Sequence, residues 1–301
     1  MTSAMTEDEL TGLFERCSNR GRWGADDELG TLNYITKEKR RAAAALVRTG
    51  RTVSIGRDMS TVADRVNPDP VRHRMLYDQD PPVSALDSIE MSTHGFALTH
   101  LDAITHVFWH GQAYNGQKAA DVLSPAGLRS GSVYAQRDGI VTRGVLLDVA
   151  AAREVPYLAP GDTVTAADLT AAEKHAGVRV ETGDAVFVHI GLERREASQG
   201  TEDPAARAGL DGDCLPWLHE REVAVYSGDC VERIPYPSEA VPLPLHQIGL
   251  VAMGLVLLDC PRLAGLVAAC TDTGRPEFLL TVAPLRLPGA TGSPVNPLCV
   301  F

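Results

Sequence analysis

Five short apolar runs limit what this chain can fold into: Val145–Val149, Ala185–Ile190, Val223–Tyr226, Val256–Asp259 and Phe278–Val282. Segments with helical signals lie among them. One is Ala166–His175, with Thr165 as cap and Asp168 at its third position; the others are Pro242–Met253 and Pro261–Cys270. Short, nearly unbroken apolar strands alternating with helices predict an α/β fold with a buried mixed sheet. The last two helices flank the run Val256–Asp259, which suits packing on one sheet face.

The first half reads less regularly. Thr6 and Glu9 form a capping box before Leu10, Leu13 and Phe14 at helical spacing, predicting a helix from about Glu7 to Cys17. Residues 21–33 are rich in Gly and Asp and read as a loop anchored by Trp23. Thr36 caps a second predicted helix running through Arg40, Ala44, Leu46 and Val47. Residues 51–57 and 84–91 have strand character. The stretch 60–82, with its prolines, reads as a long irregular excursion, either a lid or an oligomer arm. Residues 111–118 read as a loop turning at Asn115-Gly116. No break in composition marks a second domain. One domain over residues 1–301 is expected, with residues 1–50 packing on it as a helical segment.

Composition removes several function classes. A formal net charge of -11 argues against nucleic acid and against an anionic membrane surface as partners. No apolar run is long enough to span a bilayer. The N-terminus lacks the basic and apolar regions of a signal peptide, and the six cysteines show no CxxC pair, so a cytoplasmic protein with free thiols is expected. Glycine-rich nucleotide-binding signatures and a Gly-x-Ser-x-Gly elbow are absent.

Chemistry concentrates in residues 91–110, which hold four of the nine histidines. Polar and apolar residues alternate through His100-Leu101-Asp102-Ala103, so a strand would turn His100 and Asp102 to one face. Burying such groups unpaired costs about 1–3 kcal/mol each, so the cluster calls for a task. His106 either shares that face on a continuing strand or approaches it through a turn at Ala103-Ile104-Thr105. Asp259 closes an apolar strand at the edge where α/β sheets form ligand crevices. Asp229 follows another strand, and His246 begins a helix. Imidazole and carboxylate donors without thiolate suit Zn²⁺ or Mn²⁺, and a histidine left off the metal, here His106, is the natural proton carrier.

The run His94-Gly95, Thr99-His100-Leu101-Asp102-Ala103 and His106 resembles the signature of the metal-dependent cyclase family, which includes bacterial kynurenine formamidase and isatin hydrolase. Its usual form is His-x-Gly-Thr-His-x-Asp-x-Pro-x-His. Trp23-Gly24, Asp27, Leu29-Gly30-Thr31-Leu32-Asn33, Phe108-Trp109, Tyr114-Asn115-Gly116, Gly183-Asp184-Ala185-Val186, Gly289 and Gly292-Ser293-Pro294 are similar to a longer branch of that family. The resemblance implies the swivelling β/β/α type of α/β fold, a homodimer or homotetramer, and hydrolysis of an amide, formamide or lactam at a divalent metal. It implies His100 and Asp102 as ligands, His106 as general acid/base, and His246 and Asp259 as the later ligands. The sequence departs from the short motif at Phe96, Leu98 and Ile104; His94, two residues early, either replaces the missing ligand through a bulge or falls short of the site. Asp259 stands where formamidases carry Glu. Either one or two metals fit this pattern, and with one metal Gln247 is a further ligand candidate.

The expected reaction is attack of metal-bound hydroxide on a small amide, with His106 moving the proton. Phe96, Trp109 and Trp23 are candidate walls for a flat substrate, and Asp229 and Gln247 candidate polar contacts. A cyclase or dehydratase using the same metal, and a non-catalytic ligand-binding relative, are the alternatives.

Overall fold

The computed structural model describes residues 5–77 and 80–301. Nine strands form its main sheet: β1 (Thr52–Ser54), β2 (His100–Asp102), β3 (Ile140–Asp148), β4 (Ala185–His189), β5 (Val225–Gly228), β6 (Val256–Asp259), β7 (Glu277–Val282), β8 (Gly292–Pro294) and β9 (Leu298–Val300). Their order is β1-β9-β7-β3-β4-β5-β6-β2-β8. The centre, β3-β4-β5-β6, is parallel. Both flanks are antiparallel. The sheet is therefore mixed, in a single α/β domain.

Alternation along each strand builds a core on both faces. Val145, Leu147, Val186, Val188 and Leu257 point into one apolar cluster, with Leu10, Leu13, Leu245 and Ile248 from helices. Leu146, Phe187, Leu258, Phe278 and Leu101 point into the other. Leu101 faces the second cluster, so its neighbours His100 and Asp102 face the first. Asp259 shares that face with Leu257. The parity of three strand residues thus sets the side on which the polar cluster forms.

The helix at Glu7–Arg16 carries the expected capping box, and so does Ala166–Ala176 with Thr165 and Asp168. Three expectations need correction. The helix capped by Thr36 ends at Ala44, short of Leu46 and Val47. The excursion 60–82 is not wholly irregular: Arg72–Leu76 pairs with Leu86–Glu90 as an antiparallel ribbon; Asp78 and Gln79 of this stretch lie outside the described residues. The helix expected over Pro242–Met253 is α-helical only at Pro244–His246, then widens into a π-helix over Gln247–Met253. Such widened turns collect at functional sites, and His246 sits at this junction.

A candidate metal centre

Asp102 is the hub. Its carboxylate is fully buried at the end of β2. β2 is held on one side by β6, with His100 opposite Asp259, and on the other by β8, with Asp102 opposite Gly292. This pairing sets β2 between two strands that each lie more than 150 residues further along the chain. The chain then turns at Ala103, where the His106 amide donates to the Ala103 carbonyl (2.9 Å). Of the two routes open to His106, the turn is the one taken.

Two overlapping groups of donors result. His94, Asp102 and His106 form one, and His100, Asp102 and Asp259 the other; within each, the potential ligand atoms lie within 4.8 Å of one another. His246 joins them, its Nε2 at 3.2 Å from Asp259 Oδ2 and 3.5 Å from Asp102 Oδ2. His94 is not stranded by its early position. Its Nδ1 lies 3.1 Å from Asp102 Oδ1. Gly292 makes this reach possible, because a Cβ there would lie 2.7 Å from His94 Cε1.

Three imidazoles are each anchored through one nitrogen, which frees the other. His100 Nδ1 donates to the Leu98 carbonyl at 2.8 Å. His94 Nε2 pairs with Thr291 Oγ1 at 3.0 Å. His246 Nδ1 pairs with Glu232 Oε1 at 2.7 Å. Such outer contacts fix ring orientation at metal sites. His106 has no such anchor among the described residues; its ring lies on that of His94 instead.

The cluster is unbalanced as it stands. Both Asp102 oxygens, Asp259 Oδ1 and His94 Nδ1 are buried without a hydrogen-bond partner. Unpaired buried polar atoms are costly, and here they converge on one point with a donor set of imidazole and carboxylate. That arrangement fits a divalent cation. The electrostatics agree. Burial would favour a protonated Asp102, but His246 and His94 hold its carboxyl well below the usual range. Burial would deprotonate His246, but Glu232 in front of it, with Asp102 and Asp259, raises its pKa well above the ordinary value. A proton on His246 thus stands where a cation would. Burial pulls His106 down to about 4 despite the attraction of Asp102, so that ring is neutral at neutral pH.

A cavity of about 230 Å³ opens onto the cluster, lined by His94, His100, His106, His246 and Asp259 together with Phe96, Arg207, Glu232 and Tyr236. Phe96 lies in the wall of this cavity. Four other candidates are not. Trp109 is buried and stacks on Phe14, with ring centres 4.8 Å apart, as part of the core. Trp23 packs edge-on against Tyr34 and plugs its loop. Asp229 accepts from the amides of Ile190 and Leu192, capping the helix Leu192–Gln199. Gln247 turns away and donates to the Pro242 carbonyl. The sequence reading missed Glu232 and Arg207. Glu232 stands in a loop fourteen residues before His246, and no local pattern links the two.

The family model described as "Putative cyclase" matches residues 34–232. A solved structure described as a novel cyclase is similar over 96% of this chain and 99% of its own, with 31% identity and a TM-score of 0.85. Isatin hydrolase A from Labrenzia aggregata, solved with benzyl benzoate, shares the fold at 21% identity and a TM-score of 0.61, over 85% of this chain and 94% of its own. A predicted metal-dependent hydrolase from Bacillus stearothermophilus shares it at 14% identity and a TM-score of 0.52, over 84% and 98%. A search of curated proteins returned no match. The family match across about two thirds of the sequence, with the like-folded cyclase spanning nearly all of it, places this chain in the cyclase family.

Proposed function

We propose that the protein is a metal-dependent hydrolase of a small amide, formamide or lactam. The observation that carries this reading is the convergence of buried, unpartnered Asp102, Asp259 and His94 atoms beside an unanchored, neutral His106. His100, Asp102, His94, His246 and Asp259 would hold a divalent cation, and the donor set suits Zn²⁺ or Mn²⁺. When bound, such an ion supplies Lewis acidity, polarising a carbonyl and easing deprotonation of water.

The remaining work falls to the chain. His106 is neutral and so is able to accept a proton from water as the scissile carbonyl is attacked, then to return it to the departing nitrogen. Glu232 keeps His246 aimed at the two aspartates. The cavity, smaller than most ligand pockets, suits a compact reacting group. No helix among the described residues is long and apolar enough to cross a membrane. Six free cysteines, five of them buried, support a reducing, cytoplasmic setting.

The test is elemental mass spectrometry on protein made without a histidine tag, in wild type and Asp102→Asn, followed by a panel of formanilides and lactams. The expected result is Zn or Mn in the wild type, its loss in the variant, and hydrolysis of the panel: a lactam opened to a single product heavier by one water, or a formanilide split into an aniline and formate that together account for one added water. Failure of the wild type to take up either metal would overturn the reading. A single product of unchanged mass, or one lighter by exactly one water, would replace hydrolysis with ring closure or dehydration.

A further inference from the structure

Arg207 is a cation inside the wall of the metal cavity. Its side chain is 11% exposed, and its Nη1 lies 3.0 Å from Oε2 of the buried Glu202. The guanidinium carbon sits 4.2 Å from the centre of the Phe96 ring. The backbone is equally fixed: the Arg207 amide donates to the Ile234 carbonyl at 3.0 Å and the Ile234 amide donates back at 2.9 Å. Both residues line the cavity.

One ion pair and one ring face do not use up a guanidinium, which has five N–H donors in a planar fork. The other carboxylates around the cavity are engaged elsewhere. Glu232 is held by His246, and Asp102 and Asp259 lie among the imidazoles. A desolvated cation with donors to spare is a poor apolar wall and a good anchor for an anion. Phe96 makes the anchor rigid. Its ring faces the guanidinium, while His94, two residues earlier, reaches the metal cluster. Residues 94–96 also separate this cavity from an outer hollow of about 360 Å³, bordered by Asn67, Ser92 and Pro204, which leaves room for the rest of a substrate.

We propose that Arg207, stacked on Phe96, determines specificity by binding a carboxylate of the substrate, so that the enzyme prefers amides or lactams carrying a carboxylate near the scissile bond. This rests on the hydrolase reading for the reaction, but the anchor can be tested without turnover.

The probes are benzoate and its neutral isostere benzamide, titrated by calorimetry into metal-free and metal-loaded protein. Benzoate is expected to bind at least tenfold more tightly than benzamide in both forms. The double variant Arg207→Gln/Glu202→Gln, which removes both charges of the buried pair together, is expected to lose that preference while its metal content stays unchanged. A preference that survives in the double variant, or appears only with metal, would overturn the proposal. Should the variant not fold, ¹⁵N spectra of arginine Nε in the wild type decide. One arginine signal is expected to shift on adding benzoate to metal-free protein, and no shift would refute the anchor. Absence of turnover with the benzoate preference intact would sink the hydrolase reading alone.

Discussion

The imidazole of His106 lies flat on that of His94, with ring centres 3.6 Å apart and planes 2° from parallel. One ring is tethered to Thr291 and directed at Asp102; the other has no hydrogen-bond tether among the described residues. Two chemically identical side chains thereby differ: His94 is held through its second nitrogen, and His106 is not. This difference yields the first prediction. His106→Ala should retain metal and lose roughly 10²–10⁴-fold in turnover, the usual range for a general acid or base. Metal content measured alongside kcat checks it; loss of the metal together with turnover would assign His106 as a ligand instead.

Glu232 holds His246 from behind the cluster. Its Oε1 accepts from both the amide (2.8 Å) and the ring Nδ1 (2.7 Å) of that residue. Glu232→Gln should therefore weaken metal affinity by roughly 10–100-fold, as loss of outer contacts does elsewhere. Competition with a chelator of known affinity measures this. An unchanged affinity would mean that His246 is oriented by its helix alone.

A second histidine network, away from the metal cluster, makes stability depend on pH. His189 at the end of β4 has Nδ1 3.0 Å from Asp148 Oδ1 and Nε2 3.9 Å from Asp229 Oδ2. Burial alone would lower its pKa, but Asp148 and Asp229 outweigh that and raise it. A raised folded-state value means that the contribution to stability is complete below the unfolded value of about 6.5 and is lost as pH rises through the folded one. Between pH 6 and 8.5 the wild-type Tm should fall by about 2 °C more than that of His189→Gln. Parallel Tm curves would refute the coupling.

The ribbon of Arg72–Leu76 and Leu86–Glu90 bears exposed Met75, Leu76, Leu86 and Ile89. Two-stranded ribbons are marginal alone in water, and this one exposes apolar side chains on both faces, Leu76 and Leu86 on one and Met75 and Ile89 on the other. We propose that it pairs with a second copy of the chain. Light scattering after gel filtration should show a dimer or tetramer in the wild type and a smaller species in Leu86→Lys/Ile89→Lys. A wild-type monomer would refute this.

Much of this architecture is local and was therefore legible. The caps at Thr6 and Thr165, the apolar strands β3 to β7, and the shared face of His100 and Asp102 follow from periodicities of two and 3.6 residues, which need no distant partner. The resemblance of residues 94–106 to a known signature pointed to the family. What the sequence left open depended on contacts between distant segments. Only the insertion of β2 between β6 and β8 brings Asp259 and Gly292 to the polar cluster and lets His94 reach Asp102. Only packing separates Phe96, in the cavity wall, from Trp109, buried against Phe14, since an aromatic side chain serves a core as well as a pocket. Glu232 and Arg207 carry no local signature at all. Their roles arise because burial removes water as a partner and leaves each charge dependent on whatever the tertiary fold places beside it.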